Sequence, residues 1–195
     1  NRGGYLQNIG ERSIDFMGEI ALTALLKIFY ADGSVQTVSS DGSWEVSETS
    51  VVRAHLFDGE TCDAARSGRP LGKAVPSPGP GGRLRLMTAE PIREQEIFRP
   101  VWLTRMGPDR FVADFGQNLA GVCRLRIPKG LSRGQTVTLR HAEELDGEGE
   151  LFTAPLRGAR AEDRYIAAGN GLDRESWQPE FTYHGFRYAE ITGLG

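Results

Sequence analysis

Two neighbouring stretches decide the fold: LAGVCRLRIPKG, from Leu119 to Gly130, and TVTLRHA, from Thr136 to Ala142. In the first, Leu119, Gly121, Cys123, Leu125 and Ile127 alternate with Ala120, Val122, Arg124 and Arg126. In the second, Val137, Leu139 and His141 alternate with Thr136, Thr138 and Arg140. A period of two puts each set on one side of an extended chain, so both segments are predicted as half-buried strands. Pro128 to Gly130 stops the first, because proline offers no amide to a ladder and glycine favours a turn.

Upstream, Ile20, Leu22, Ala24, Leu26, Ile28 and Tyr30 share a face at the same period, although so short an apolar run also fits a helix. ADGS, Ala31 to Ser34, supplies turn residues, and Val35 to Val38 can return antiparallel as a hairpin partner. Short strands, glycine-rich turns and the lack of a long amphipathic helical pattern predict an all-β chain built as an antiparallel β-sandwich. Between Arg66 and Gly82, RSGRPLGKAVPSPGPGG combines lost backbone donors with high chain entropy. Residues 66–82 are therefore predicted as a Gly/Pro-rich linker joining two β modules, residues 1–65 and 83–195.

A chain of 195 residues that is 39% hydrophobic can bury real cores. Its net charge of −3 comes from 26 acidic and 23 basic residues that are interspersed, leaving no basic face for nucleic acid or for a membrane surface. The longest apolar stretch, Ile20 to Leu26, falls far short of the roughly 20 residues that a membrane-spanning helix needs. Cys62 and Cys123 have no paired spacing and read as two unrelated free thiols, neither a disulfide framework nor a zinc site.

Among the acids, Glu143 and Glu144 are adjacent and point to opposite faces of a strand, while Glu94 and Glu96 sit with Arg93 and Arg99 in a solvated segment. Asp58, Glu60 and Asp63 are the densest cluster. Oxygen ligands at that spacing could hold calcium or accept hydrogen bonds from sugar hydroxyls, so these three are the candidate carbohydrate-binding residues. The other reading is a turn at Asp58 and Gly59, with Glu60 and Asp63 paired to nearby arginines. Gln117, Asn118, His184 and Arg187 read as a structural or interdomain polar network. No catalytic residue is assigned.

Three strings combine these features with a definite order: DFGQNLAG (Asp114 to Gly121), LRHAEEL (Leu139 to Leu145) and FTYHGFRYAEITG (Phe181 to Gly193). In that order and at those intervals they resemble the β-sandwich region before the catalytic barrel of bacterial α-L-rhamnosidases, glycoside hydrolase family 78. LRGARAEDRYIAAGNG (Leu156 to Gly171), YADGS (Tyr30 to Ser34), DGSWEVS (Asp41 to Ser47) and LFDGETCDA (Leu56 to Ala64) extend the resemblance over nearly the whole chain. The chain departs from the family pattern at Cys62, where a tyrosine is expected, and at Cys123, where a tryptophan is common.

The resemblance implies a jelly-roll-like, concanavalin-like sandwich over 83–195. Residues 1–65 would be the C-terminal part of a carbohydrate-binding-like N-terminal module, with Asn1 falling inside that module. It also implies that the catalytic acids lie on an (α/α)6 barrel outside this sequence. The segment would then be a non-catalytic part of an inverting glycosidase that releases terminal α-L-rhamnose from glycosides. Its partners would be rhamnose-containing carbohydrate and that barrel, with no cofactor beyond the calcium considered above. The alternative is a free-standing, lectin-like module that binds rhamnose without catalysis.

Overall fold

The computed structural model describes residues 21–66, 68–79, 83, 85–169, 171 and 176–195. The chain divides into two compact units, one of residues 1–48 and 68–90 and one of residues 49–67 and 91–195.

In the first unit, β1 (Leu25–Phe29) and β2 (Val35–Ser39) pair antiparallel, as the hairpin reading predicts. The turn closes through the Gly33 amide, which donates to the Tyr30 carbonyl, and through Asp32 Oδ1, which accepts from the Ser34 amide and hydroxyl. That side-chain bond is why Asp and Ser belong in such a turn. Ile20, the first residue of the predicted apolar face, lies outside the described residues.

Next come β3 (Glu45–Ser47), β4 (Val51–His55), β5 (Gly59–Asp63) and β6 (Pro70–Lys73). β6 pairs antiparallel with β3, and Arg69 makes an ion pair with Glu48 just beyond the ladder. The predicted linker at 66–82 is therefore corrected: part of it is a strand. Pro70 begins that strand, the position where a missing amide costs least. β4 and β5 belong to the second unit's sheet, so the module boundary predicted after residue 65 does not match the contact pattern. The physical reason is that β5 satisfies its backbone on a strand at Glu162–Ile166, about a hundred residues later, and composition near the linker cannot report that pairing.

The second unit continues with β7 (Trp102–Gly107), β8 (Arg110–Gly121), β9 (Leu125–Arg126), β10 (Thr136–Ala142), β11 (Glu144–Leu145) and β12 (Leu151–Phe152). After one 3-10 turn at Ala154–Leu156 come β13 (Glu162–Ile166), β14 (Ser176–Trp177) and β15 (His184–Thr192). Seven strands form one sheet in the order β4-β5-β13-β10-β15-β8-β7. Every neighbour in it is antiparallel except β5 and β13, which run parallel.

The strand predicted across 119–127 is two pieces. β8 ends at Gly121, and β9 pairs with β14 in a separate ribbon. The alternation still decides burial, since Cys123 and Ile127 are buried and Leu119 and Leu125 pack against the same core. That core joins Val137, Leu139, Tyr165 and Phe186 of the large sheet to Trp177 of the ribbon, with the Tyr165 and Trp177 rings 5.6 Å apart. The chain is thus all-β, with an antiparallel sandwich in its second unit. Cys62 and Cys123 both enter this one core and form no disulfide.

Candidate functional site

The polar residues singled out in the sequence fall on three strands of the large sheet, Glu60 and Asp63 on β5, Gln117 and Asn118 on β8, and His184 and Arg187 on β15, with Asp58 in the turn before β5. Between Phe186↔Leu119 and Tyr188↔Asp114, the register advances two residues on β15 and five on β8. The extra residues of DFGQN therefore bulge out of the ladder. Gly116 allows this with φ 78°, and its amide donates to Asp114 Oδ1 at 2.7 Å. Arg187 fastens the bulge with two parallel bonds to Asp114, Nε to Oδ1 at 2.8 Å and a terminal nitrogen to Oδ2 at 2.9 Å. The Arg187 guanidinium also lies 4.9 Å from the centre of the Tyr188 ring.

These bonds from Arg187, with the Gly116 amide and the arginine charge, hold the Asp114 carboxyl below the usual carboxylate range. Asn118 Nδ2 donates to Glu143 Oε1 at 2.8 Å, and Gln117 is exposed. Of the four residues read as one polar network, Arg187 and Asn118 brace the two sides of the bulge. His184 serves a different cluster.

His184 Nε2 lies 3.1 and 3.2 Å from the two oxygens of Asp163. A carboxylate only accepts, so this nitrogen carries a proton. His141, on the next strand, stacks on His184 with ring centres 4.5 Å apart, and its Nδ1 lies 2.9 Å from the Ala161 carbonyl oxygen. His141 and Asp163 are fully buried and His184 is 5% exposed. Burial, reinforced by the neighbouring His184, pushes His141 down to about 4, so its ring is neutral at pH 7.

Asp58, Glu60 and Asp63 do not share a face. Asp58 pairs with Arg53, and Asp63 Oδ1 accepts from the Ala65 amide in a turn. Glu60 is 1% exposed, and its Oε2 accepts from the amides of Glu180 and Phe181 at 2.9 and 2.8 Å. Burial pushes the Glu60 carboxyl up, and the two amides offset part of that. The carbohydrate-binding expectation is corrected for Glu60, which no sugar can reach. The three carboxylates also form no group of metal-ligating spacing among the described residues. Adjacent strand positions alternate in direction, and the odd separation of Glu60 and Asp63 aims them apart.

A second charged group lies on the large sheet: Glu190, almost buried, accepts from Arg110 Nε at 2.6 Å and from Arg140 at 3.2 Å, while Arg110 also binds Glu150. Two guanidinium groups compensate the buried carboxylate. An open cleft nearby is lined by Trp102, Thr104, Met106, Val112, Asp114, Leu145, Gly149 and Tyr188. Asp114, the carboxylate in that lining, is tied to Arg187. Sequence reasoning did not single out Asp163, His141 or Glu190 as site residues. Their signal was a polar residue at a period-two position beside buried apolar ones, as Asp163 stands beside Tyr165 and His141 beside Leu139.

Residues 2–94 match the α-L-rhamnosidase N-terminal domain, and residues 104–195 match the bacterial α-L-rhamnosidase concanavalin-like domain. An α-L-rhamnosidase of Streptomyces avermitilis is 38% identical over 208 residues, covering 98% of this chain and 19% of its own length. One from an Alteromonas species is 31% identical, covering 88% of this chain and 19% of its own length. The solved structure of α-L-rhamnosidase from Dictyoglumus thermophilum superposes with a TM-score of 0.76 at 33% identity, over 86% of this chain and 20% of that one. The Streptomyces avermitilis structure, complexed with L-rhamnose, gives 0.73 at 35% identity, over 89% of this chain and 18% of that one. The chain spans about 19% of the length of the curated relatives it matches.

Proposed function

The chain belongs to the bacterial α-L-rhamnosidase family, and on that premise we propose that it is β-sandwich scaffolding for an α-L-rhamnosidase whose catalytic acids lie on other segments. The enzyme it serves releases terminal α-L-rhamnose from glycosides by inversion, with a helical barrel as the catalytic partner. The observation that carries this reading is the succession of two domain matches that together cover nearly the whole chain and only about 19% of each curated relative.

The geometry supports it. Glycoside hydrolysis needs two carboxyl groups facing one another across the scissile bond, one able to donate a proton. In the cleft beside β7 the lining carboxylate is Asp114, which Arg187 keeps ionised. It cannot serve as the general acid. Glu60, Asp163 and Glu190 are buried against their partners.

The test is turnover of an aryl α-L-rhamnoside by the 195-residue chain. No release of the aryl group is expected. Release above the buffer rate, abolished in Asp114→Asn, would overturn the proposal, and binding of free L-rhamnose without turnover would favour the lectin-like alternative.

A further inference from the structure

Three adjacent strands of the large sheet, β13, β10 and β15, bring Asp163, His141 and His184 together in its interior. We propose that these three side chains bind one divalent transition-metal ion of the zinc class in a buried structural site, a water taking the fourth position. The inference does not depend on the catalytic reading above.

The donor set is right for such an ion: two imidazole nitrogens and a carboxylate oxygen. Their ligating atoms all lie within 4.8 Å of one another. Asp163 Oδ2 is 3.1 Å from His184 Nε2 and 4.0 Å from His141 Nε2. Metal bonds of roughly 2.0–2.2 Å at tetrahedral angles set two ligands of one ion about 3.3–3.6 Å apart. His184 and Asp163 already stand at about that spacing, and the His141 ring has to tilt toward them to reach it.

Orientation gives the second, independent observation. His141 Nδ1 faces the Ala161 carbonyl and carries the proton, so Nε2 keeps its lone pair. That Nε2 is fully buried and has no hydrogen-bond partner. A buried acceptor without a donor is uncommon in a folded protein, and a cation at this point supplies what it lacks. Asp163 is held in the same way, since its Oδ1 accepts from the Glu60 amide at 2.8 Å. Two of the three ligands thus have the outer hydrogen bond that fixes a metal ligand in place.

Charge points the same way. Asp163 is a fully buried carboxylate, and the contact from His184 Nε2 puts a proton where a cation fits. On binding, the ion takes the place of the proton on His184 Nε2 and that ring carries its N–H on Nδ1 instead, so both imidazoles coordinate as neutral ligands. Because the ligands are sealed from solvent, the ion must enter as the chain folds.

The chain has three histidines, His55, His141 and His184, which makes the test clean. The His55→Gln variant and the natural chain are unfolded with a chelator, then refolded with Zn2+ or Co2+ and desalted. One ion per chain is expected in both. The Zn2+ X-ray absorption spectrum of His55→Gln should show two imidazoles, which then come only from His141 and His184. Refolded Co2+ protein should show visible d–d absorption that His141→Gln loses. A natural chain that refolds to its native circular dichroism yet retains no metal would overturn the proposal. Retained metal without an imidazole signature would overturn it equally, and both readouts on the natural chain hold even where a variant fails to fold.

Discussion

Asp163 Oδ1 accepts the backbone amide of Glu60 at 2.8 Å, joining residues 103 positions apart in the chain. It is a buried side-chain bond laid beside the parallel pairing of β5 with β13. One carboxylate thereby fixes a strand from the earlier part of the sequence to the large sheet and also faces His184.

Removing that carboxylate should be costly. Asp163→Ala leaves the Glu60 amide and the His184 ring without their acceptor in a site closed to water, and breaking such a buried pair costs about 3 kcal/mol or more. Urea denaturation should show this loss, while Asp32→Ala, in an exposed turn, should stay close to the natural chain. Equal losses for the two would refute the assigned role of Asp163.

Gly59 tests the same junction by sterics. It has φ 101°, and a Cβ there would stand 2.1 Å from the Glu162 carbonyl oxygen and 2.7 Å from Asp163 Oδ1. Gly59→Ala should destabilise the fold by about 3 kcal/mol or more, because the left-handed backbone cost and the overlap with β13 add. Gly33 has φ 85° with nothing within 4 Å of its Cβ position, so Gly33→Ala should cost only about 1–2 kcal/mol. Thermal melts of the two variants compare them directly.

Asp114 should make stability depend on acid. Arg187 lowers its folded pKa below 3.8, so folding binds fewer protons there than the unfolded chain does. The stabilisation is fully present above 3.8 and is lost as pH falls through the folded value. At pH 7, Asp114→Asn should be less stable by about 1 kcal/mol, a modest value because the pair is partly exposed. Denaturation curves at a series of pH values should show that gap closing on the acid side. A gap that widens as pH falls would contradict the assignment.

The thiols should be inert in the native state. Burial pushes Cys123 up to about 12, and Cys62 is 1% exposed. Only a thiolate reacts readily with a disulfide reagent, so the folded chain at pH 8 should release almost no chromophore. After denaturation, both cysteines should titrate. Rapid reaction of one thiol in the folded protein would show that the core around β9 opens.

Much of this architecture can be read locally. Period-two alternation marked the β10 strand and the buried residues near β9, and ADGS marked the hairpin between β1 and β2, because strand polarity and turn chemistry are properties of neighbouring residues. The motif strings likewise carried the family, since they are fixed spacings along one chain. Three outcomes depended on tertiary pairing. The Pro/Gly-rich stretch yields a strand because β3 presents a ladder to Pro70–Lys73. Strands β4 and β5 join the later sheet because β13 lies open to β5. His141, Asp163 and His184 meet because three strands align in one register, which sets side chains up to 43 positions apart within reach of a single ion. Such register depends on contacts between distant segments, and no window of adjacent residues contains it.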